Sequence, residues 1–209
     1  GSQTSADTEL ASGFTVGTGV RIVNSDKSYM QGNLQMTENA LDLAIDGGGF
    51  FQVLMPDGSI SYTRDGTFTR SSEGILTTSS GYEVQPTINI PEDALGISVS
   101  SDGIVAVRLP GQTEESEVGQ LELANFPNIR GLAPRGENFV TETEASGAPI
   151  LSVPAENGLG KVVQGALEAS NVNVIEELVA MIETQRAYEI NSKAISSIDQ
   201  MMQFVSNNL

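Results

Sequence analysis

The sequence predicts a mainly β protein, in which an antiparallel β-rich domain with many hairpins precedes one long C-terminal α-helix. Three observations predict this fold class. Turn signals punctuate most of the chain and include four Asp-Gly dipeptides. The segments between these turns alternate apolar and polar residues. From Ala166 to Leu209 the chain contains neither proline nor glycine, so nothing there interrupts a helix.

These changes in composition divide the 209 residues into three parts. Residues 1–19 are rich in Gly, Ser and Thr and are predicted to form an extended lead-in. Residues 20–165 are predicted to form the β-rich domain, with room for a small subdomain. Residues 166–209 are predicted to form the helix.

The β prediction depends on two features, the alternation of apolar and polar residues and the residue types found at the turns. In LDLAI (41–45) every second residue is large and apolar, as in a half-buried strand. The segment ISVSSDGIVAVRL (97–109) repeats this pattern on both sides of Asp102-Gly103, a dipeptide typical of hairpin turns. Since no helical period interrupts this part of the chain, a parallel sheet built from βαβ units is disfavoured.

The helix is predicted to begin at Asn173, which forms a capping box with Glu176, with Ser170 as an alternative cap. Two apolar stripes then run along it. The first stripe has a mean step of about 3.67 residues, which is typical of a nearly straight helix, and is interrupted at Arg186. The first stripe consists of Val172, Ile175, Val179, Ile182, Ile190, Ala194, Ile198, Met201 and Val205. The second stripe recurs every seven residues on the roughly opposite side and consists of Val174, Met181, Tyr188, Ile195 and Met202.

Two apolar faces on one helix are hard to cover with one small domain. A terminal helix that only caps the core of its own domain is the simpler alternative, but it leaves one stripe uncovered. We therefore expect one stripe to pack on the chain's own domain or a second helix. The other stripe is expected to pack on a neighbouring molecule.

The segment AIDGGGFFQV (44–53) contains three consecutive glycines, Gly47, Gly48 and Gly49. A phosphate-binding loop needs a following helix N-terminus, but a strand follows here, so nucleotide binding is disfavoured. The sequence GLGK (158–161) lacks the rest of the phosphate-loop pattern. We expect the three glycines to form a tight turn with positive φ or close backbone approach. Phe50 and Phe51 are expected to point to opposite faces of the next strand, at least one of them into the core.

Composition excludes several function classes. A net charge of −17 repels nucleic acid and anionic lipid, and is typical of a soluble surface or of one that tunes packing between copies. The absence of cysteine and histidine removes thiol nucleophiles, imidazole bases, disulfides and Cys/His zinc sites. No apolar run is long enough to span a membrane. We expect no catalytic residues, no cofactor and no metal, although two-carboxylate hydrolysis stays open.

Several stretches together resemble one family, the axial proteins of the bacterial flagellar rod and hook. They are LDLAIDGGGFFQV (41–53), YTRDGTFT (62–69), GYEVQP (81–86), the segment 120–149 with its GL and GENF, and the helix segment 164–203. The lead-in, QTSADTELASGFTVGTGVR, favours the distal rod over the proximal rod and the hook. Residues 62–69 resemble a hairpin of that family.

The resemblance implies a structural subunit of the distal rod, a tubular drive shaft that transmits torque from motor to hook. Subunits of the family polymerise helically, with terminal helices in an inner layer and β domains in an outer layer. Implied partners are copies of this chain, other flagellar rod proteins, the hook protein and the surrounding basal-body ring proteins. The implied location is the periplasm-spanning rod, reached through flagellar type III export. The fourteen stripe residues would be the subunit-packing residues.

Family members begin with an N-terminal helix, and the sequence predicts no such helix at its start, which is a departure from the resemblance. The expectation is therefore that this chain by itself does not build native rods, and that its helix is loose or paired with another copy. A secreted β-sandwich adhesin or binding module with a helical stalk is the alternative, and a carbohydrate-active enzyme is the third hypothesis. Deleting residues 166–209 would abolish assembly of a rod subunit but spare a binding module or an enzyme.

Overall fold

A computed structural model of the protein describes residues 3–5, 8–9, 27–112 and 114–207. Its strands are β1 (Gln3–Ser5), β2 (Thr8–Glu9), β3 (Leu34–Met36), β4 (Leu43–Asp46), β5 (Phe50–Leu54), β6 (Ile60–Thr63), β7 (Phe68–Arg70), β8 (Leu76–Thr78), β9 (Glu83–Gln85), β10 (Gly96–Val99), β11 (Ile104–Arg108), β12 (Ser116–Gln120), β13 (Leu123–Asn125), β14 (Ala133–Gly136), β15 (Phe139–Thr141), β16 (Ile150–Ser152), β17 (Lys161–Gln164) and β18 (Ala166–Glu168). A 3₁₀ turn lies at Ile129–Gly131, and the helix α1 spans Val174–Asn207. The predicted class, β-rich with one C-terminal helix, is confirmed. We call residues 27–168 the strand-rich region.

The strand-rich region is built from antiparallel pairs. The main sheet runs in the order β14-β15-β6-β5-β9-β8-β7, and β13 joins it at β5 and carries β16. Three further strands form the sheet β10-β11-β12, and two pairs, β17-β4 and β18-β3, complete the region. Every strand pairing in the described part of the chain is antiparallel, as predicted.

The strand β5 separates two apolar clusters. Phe51 is fully buried in the larger cluster and meets Phe68 edge-on, with ring centroids 5.0 Å apart. Phe50 lies in the smaller cluster, where it packs edge-on against Phe126 at 6.0 Å. The predicted division of these two phenylalanines between opposite faces is confirmed, and both are buried.

The hairpin predicted at Asp102-Gly103 is formed by β10 and β11, with Val99 opposite Val105. Val105 and Val107 are buried in the larger cluster together with Phe51. The three-stranded sheet therefore shares its apolar core with the main sheet.

The segment 62–69 is not the hairpin that the resemblance implied. The strands β6 and β7 do not pair with each other, because the loop between them crosses over β4 instead. Leu43 donates its backbone N–H to the carbonyl of Gly66 at 3.0 Å, and Asp42 bridges Thr67. A Cβ on Gly66 would lie 1.5 Å from the carbonyl oxygen of Leu43, so only glycine permits this crossing.

The helix begins later than residue 166. Residues 166–168 form β18, which pairs with β3 and places Ala166 opposite Met36. Because no proline or glycine follows Gly165, the sequence did not distinguish residues 166–168 from the helix. A strand of three residues is too short to show the two-residue alternation by which strands are predicted. The cap predicted at Asn173 is confirmed, since its side-chain oxygen accepts the N–H of Ile175 at 3.2 Å.

Parts of two predictions lie outside the described residues. Of the lead-in 1–19, the structure describes the paired strands β1 and β2, and residues 10–26 are outside it. The side chain of Val205 is also outside the description. No helix in the described part of the chain has both the length and the apolar content needed to cross a membrane.

Candidate assembly surface and its junction with the strands

The helix α1 leaves its apolar stripes uncovered. In the first stripe the large side chains up to Met201 are between 48 % and 73 % exposed, and Ala194 is also exposed. In the second stripe the exposed fraction runs from 51 % to 76 %. A single apolar side chain on a surface is ordinary, but apolar stripes along a whole helix are typical of a surface that binds another element or molecule. The predicted alternative, a helix that caps the core of its own domain, is wrong for the described residues.

Two further apolar residues belong to this surface, Leu178 and Phe204, which are 48 % and 71 % exposed. Neither was among the predicted packing residues. Leu178 follows Ile175 by three residues and Phe204 follows Met201 by three, which is helical neighbour spacing. The same periodicity that identified the stripes therefore contained the signal for both.

The start of α1 is stabilised locally. Asn173 caps it, and Glu176 and Glu177 lie in its first turn, where the helix dipole favours negative charge. Along the exposed face Thr184 donates its hydroxyl to the carbonyl of Ala180 at 2.8 Å, so this hydroxyl has a partner without tertiary packing. The helix is thus stabilised by its own backbone and cap, and the described side chains along it are exposed.

The glycine turn has the close backbone approach that was predicted. Gly47 and Gly49 have φ values of 123° and 130°, and a Cβ on Gly47 would lie 2.6 Å from Cα of Gly160. Gly160 donates its N–H to the carbonyl of Gly48 at 2.7 Å. The two glycine segments that resembled phosphate loops are therefore packed against each other.

The polarity of this turn is opposite to that of a phosphate loop. A phosphate loop presents N–H groups, but Gly47 uses its own N–H to bind the side-chain oxygen of Gln31 at 3.0 Å. The carbonyls of Gly47 and Gly49 instead accept hydrogen bonds from the guanidinium of Arg64, each at 3.1 Å. The turn therefore binds the guanidinium cation of Arg64. Because its carbonyl groups face this cation, they do not form an anion site at the same place.

Arg64 connects the glycine turn with the strand that leads to α1. Its Nε lies 2.8 Å from Oε2 of Glu168 in β18, and both side chains are largely buried. The other carboxylate oxygen of Glu168 accepts the N–H of Gly32 at 2.8 Å. The guanidinium also lies 6.0 Å from the ring centroid of Phe50. We call these contacts the Arg64 junction; sequence reasoning did not identify it, because a lone arginine in a loop gives no periodic signal.

An open groove of about 710 Å³ lies beside the Arg64 junction. Its walls come from residues 27–30, Phe50, residues 64–67, Pro134, and residues 136–140 and 167–171. Charges of both signs line it, with Lys27 and Arg64 against three acidic residues, so it favours no one charge of ligand. Among the described residues no cluster of three or more acidic side chains is arranged to hold a metal ion.

Two other ionisable groups in the strand-rich region have shifted pKa values. Burial, followed by the negative charge of Glu142, raises the pKa of Tyr62, whose ring packs on Phe126. Hydrogen bonds from the Ser59 hydroxyl and then from the Arg135 guanidinium hold the pKa of Asp57 well below its usual range. The partners of Asp57 are a serine hydroxyl and a guanidinium, and the shift of Tyr62 comes mainly from burial, so we interpret both shifts as structural.

Comparison with known proteins gives two family matches. Residues 44–107 match the family described as "Flagellar hook protein FlgE/F/G D1 domain". Residues 163–209 match the family described as "Flagellar basal body rod FlgEFG protein C-terminal". The first match lies within the strand-rich region, and the second contains α1.

Two relatives align along almost the whole chain, and a third aligns along about two thirds of it. The flagellar basal-body rod protein FlgG of Buchnera aphidicola subsp. Schizaphis graminum is 54 % identical over 206 residues, which are 99 % of this chain and 79 % of the relative. The FlgG of Caulobacter vibrioides is 45 % identical over 207 residues, with the same two coverages. The flagellar hook protein FlgE of Salmonella typhimurium is 36 % identical over 139 residues, which are 66 % of this chain and 32 % of the relative.

Proposed function

The chain belongs to the family of flagellar hook and basal-body rod proteins, and on this premise we propose that α1 is the element through which copies of the subunit pack together. The chain is a structural subunit of the distal rod, and its location is the rod of the flagellar basal body. Its family is one of structural proteins, and no catalytic role is proposed for it. The strand-rich region forms the outer layer that bears torque, and α1 forms the inner layer.

The exposure of both stripes of α1 is the observation that supports this proposal. Fully burying a side chain such as Ile190, which is 66 % exposed, contributes about 1.5–3 kcal/mol. A helix with two such stripes binds two neighbours at once, which is what a closed tube of helices requires. At about 1.5 Å per residue, the 34 residues of α1 form a rod roughly 50 Å long, so many contacts add up in each copy.

The negative net charge of the chain opposes this packing at long range. Copies with a net charge of −17 repel one another over about a Debye length. Association must therefore come from contacts at short range, which the apolar stripes supply. The same repulsion keeps separate subunits soluble before they are incorporated.

We assign partners by the same reasoning. Copies of the chain are the first partners, because each copy carries both stripes. The other flagellar rod proteins, the hook protein and the surrounding basal-body ring proteins are the further proposed partners, and flagellar type III export is the proposed route to the rod. The likeness to both rod and hook proteins supports partners within the flagellar axis.

Ile190→Asp tests this proposal, with Ser196→Asp as its matched control. Both variants add one negative charge to an exposed position of α1, but Ser196 lies between the two stripes, whereas Ile190 lies within the first. A charge buried without a partner costs several kcal/mol, so Ile190→Asp should abolish rod assembly. Cells that carry the substitution should not swim, and their basal bodies should lack a distal rod in electron micrographs.

The control should assemble and swim like the unaltered protein. Circular dichroism should show the same strand content in both purified variants, because Ile190 contacts nothing in the strand-rich region. Normal swimming with Ile190→Asp would exclude α1 as the packing element.

A further inference from the structure

Arg64 holds together four segments that are distant in sequence. Its guanidinium lies on the carbonyls of the glycine turn and pairs with Glu168, whose second oxygen binds the N–H of Gly32. We propose that Arg64 is a positioning residue that fixes the direction in which α1 leaves the strand-rich region. This inference rests on the proposed function, in which α1 must meet its neighbours in a defined orientation.

The contacts of Arg64 use most of its hydrogen-bonding capacity. Nε donates to Glu168, Nη1 donates to the carbonyls of Gly47 and Gly49, and Nη2 donates to the carbonyl of Gly47. A planar guanidinium offers five donors in a rigid fork, so it fixes acceptors on two sides at once. A lysine carries the same charge but has no such fork.

Backbone contacts extend the Arg64 junction toward α1. After Glu168, Ala169 donates its N–H to the carbonyl of Asn33 at 2.8 Å. The side-chain amide of Asn171 then donates to the carbonyl of Met30 at 2.7 Å. Two residues later Asn173 caps the helix. Hydrogen bonds to the segment 28–33 thus hold the chain in place between the Arg64 junction and the first turn of α1.

In the described part of the chain, this connection is where α1 joins the strand-rich region, so we place the control of its direction here. The described side chains of α1 are exposed along its length, so none is buried against a strand. A change of about 10° in direction would displace the far end of a helix roughly 50 Å long by roughly 9 Å. Packed helices lie about 8–10 Å apart, so such a change would move a stripe off its neighbour.

The experiment measures the direction of α1 in single subunits. The chain contains no cysteine, so spin labels at Ser72→Cys, in a β-turn of the strand-rich region, and Gln185→Cys, in the helix, are unique. Both positions are exposed. Pulsed electron paramagnetic resonance then gives the distribution of distances between the two labels. We compare Arg64→Gln, Arg64→Lys and Glu168→Gln with the unaltered protein.

Arg135→Gln is the matched control. It removes the ion pair between Arg135 and Asp57, which lies in the strand-rich region and has no contact with residues 166–173. The control should leave the width of the distance distribution unchanged. Arg64→Gln and Arg64→Lys should each at least double it, and Glu168→Gln should give an intermediate width. Hydrogen exchange in residues 28–33 and 166–173 should rise at least tenfold in Arg64→Gln, while exchange in β5 stays the same.

An unchanged width in Arg64→Gln would overturn the proposal, and so would equal broadening by Arg135→Gln. Unfolding of the strand-rich region in all three variants, seen by circular dichroism, would assign Arg64 a general structural role and would overturn it as well. The readout needs no polymer, so it is independent of the proposed function. Broadening by Arg64→Gln together with normal swimming of Ile190→Asp would support the Arg64 junction and reject α1 as the packing element.

Discussion

The strand-rich region and α1 contain the same kinds of large apolar residue, but only one of them buries its own. Ile45 in β4 is 1 % exposed, and Ile190 in α1 is 66 % exposed. The difference shows that a chain can complete its core in one region and leave another region to be covered by other molecules. Under the proposed function, the stability of the subunit and the assembly of subunits are encoded in separate parts of the sequence.

Backbone hydrogen bonding makes this separation physically possible. Strands satisfy their N–H and C=O groups through other strands, so β4 needs β17, which lies far along the chain. A helix satisfies these groups within itself, so α1 forms without lying on the strands. With 34 residues, it also exceeds the roughly 12–15 residues below which isolated helices are marginal.

The same substitution in the two regions gives the largest expected contrast in subunit stability. Ile45→Ala should lower the free energy of unfolding of the strand-rich region by about 2–5 kcal/mol, because it leaves a cavity in the larger cluster. Ile190→Ala should change it by less than about 0.5 kcal/mol, because none of the described residues buries that side chain. Urea unfolding followed by tyrosine fluorescence measures both values. Equal losses would mean that α1 is part of the subunit's own core.

Two glycines inside the strand-rich region differ in how closely other atoms approach them. Gly66→Ala should cost about 3 kcal/mol of unfolding free energy, since the new Cβ would overlap the carbonyl oxygen of Leu43 and the loop would have to leave β4. Gly58 is the matched control, because it has a φ of 80° but no atom within 4 Å of an added Cβ. Gly58→Ala should cost only the strain of a positive φ, about 1 kcal/mol. Thermal unfolding of the two variants measures both losses of stability. A larger loss in Gly58→Ala would show that backbone strain outweighs the close approach at Gly66.

Local patterns predicted the elements whose signal lies in neighbouring residues. The opposite faces of Phe50 and Phe51 follow from the two-residue period of a strand, and the Asp102-Gly103 hairpin follows from turn chemistry. The start of α1 at the Asn173 cap follows from capping preferences. Each of these depends on residues within a few positions of one another, so the sequence alone is sufficient.

Contacts between distant segments could not be predicted in this way. Glu168 lies opposite Leu34 in the β18-β3 pair, and nothing in three residues of sequence specifies that partner. The loop after β6 crosses β4 because Gly66 permits a backbone contact with Leu43, and a hairpin turn uses a glycine just as readily. The Arg64 junction depends on both of these long-range contacts. The site that positions α1 was therefore missed although α1 itself was predicted.

The smallest expected effect concerns a surface ion pair, and it tests whether the strand-rich region depends on charge as well as on its core. Asp57 accepts hydrogen bonds from Ser59 and Arg135, which lower its pKa. Because the folded pKa lies below the unfolded value of about 3.9, the pair stabilises the region above that pH. This contribution is lost as the pH falls from there through the folded pKa.

Ser59→Ala and Arg135→Gln should therefore each raise the pKa of Asp57, because each removes one of the two side-chain hydrogen bonds that lower it. Titration of the Asp57 carboxyl carbon by nuclear magnetic resonance measures both shifts. At neutral pH both variants should unfold at nearly the same temperature as the unaltered protein, because exposed ion pairs contribute little. A drop in unfolding temperature comparable to that of Ile45→Ala would contradict a core-based account of this region. It would mean that surface charge contributes as much to its stability as the two apolar clusters do, and the contrast with α1 would then no longer rest on burial alone.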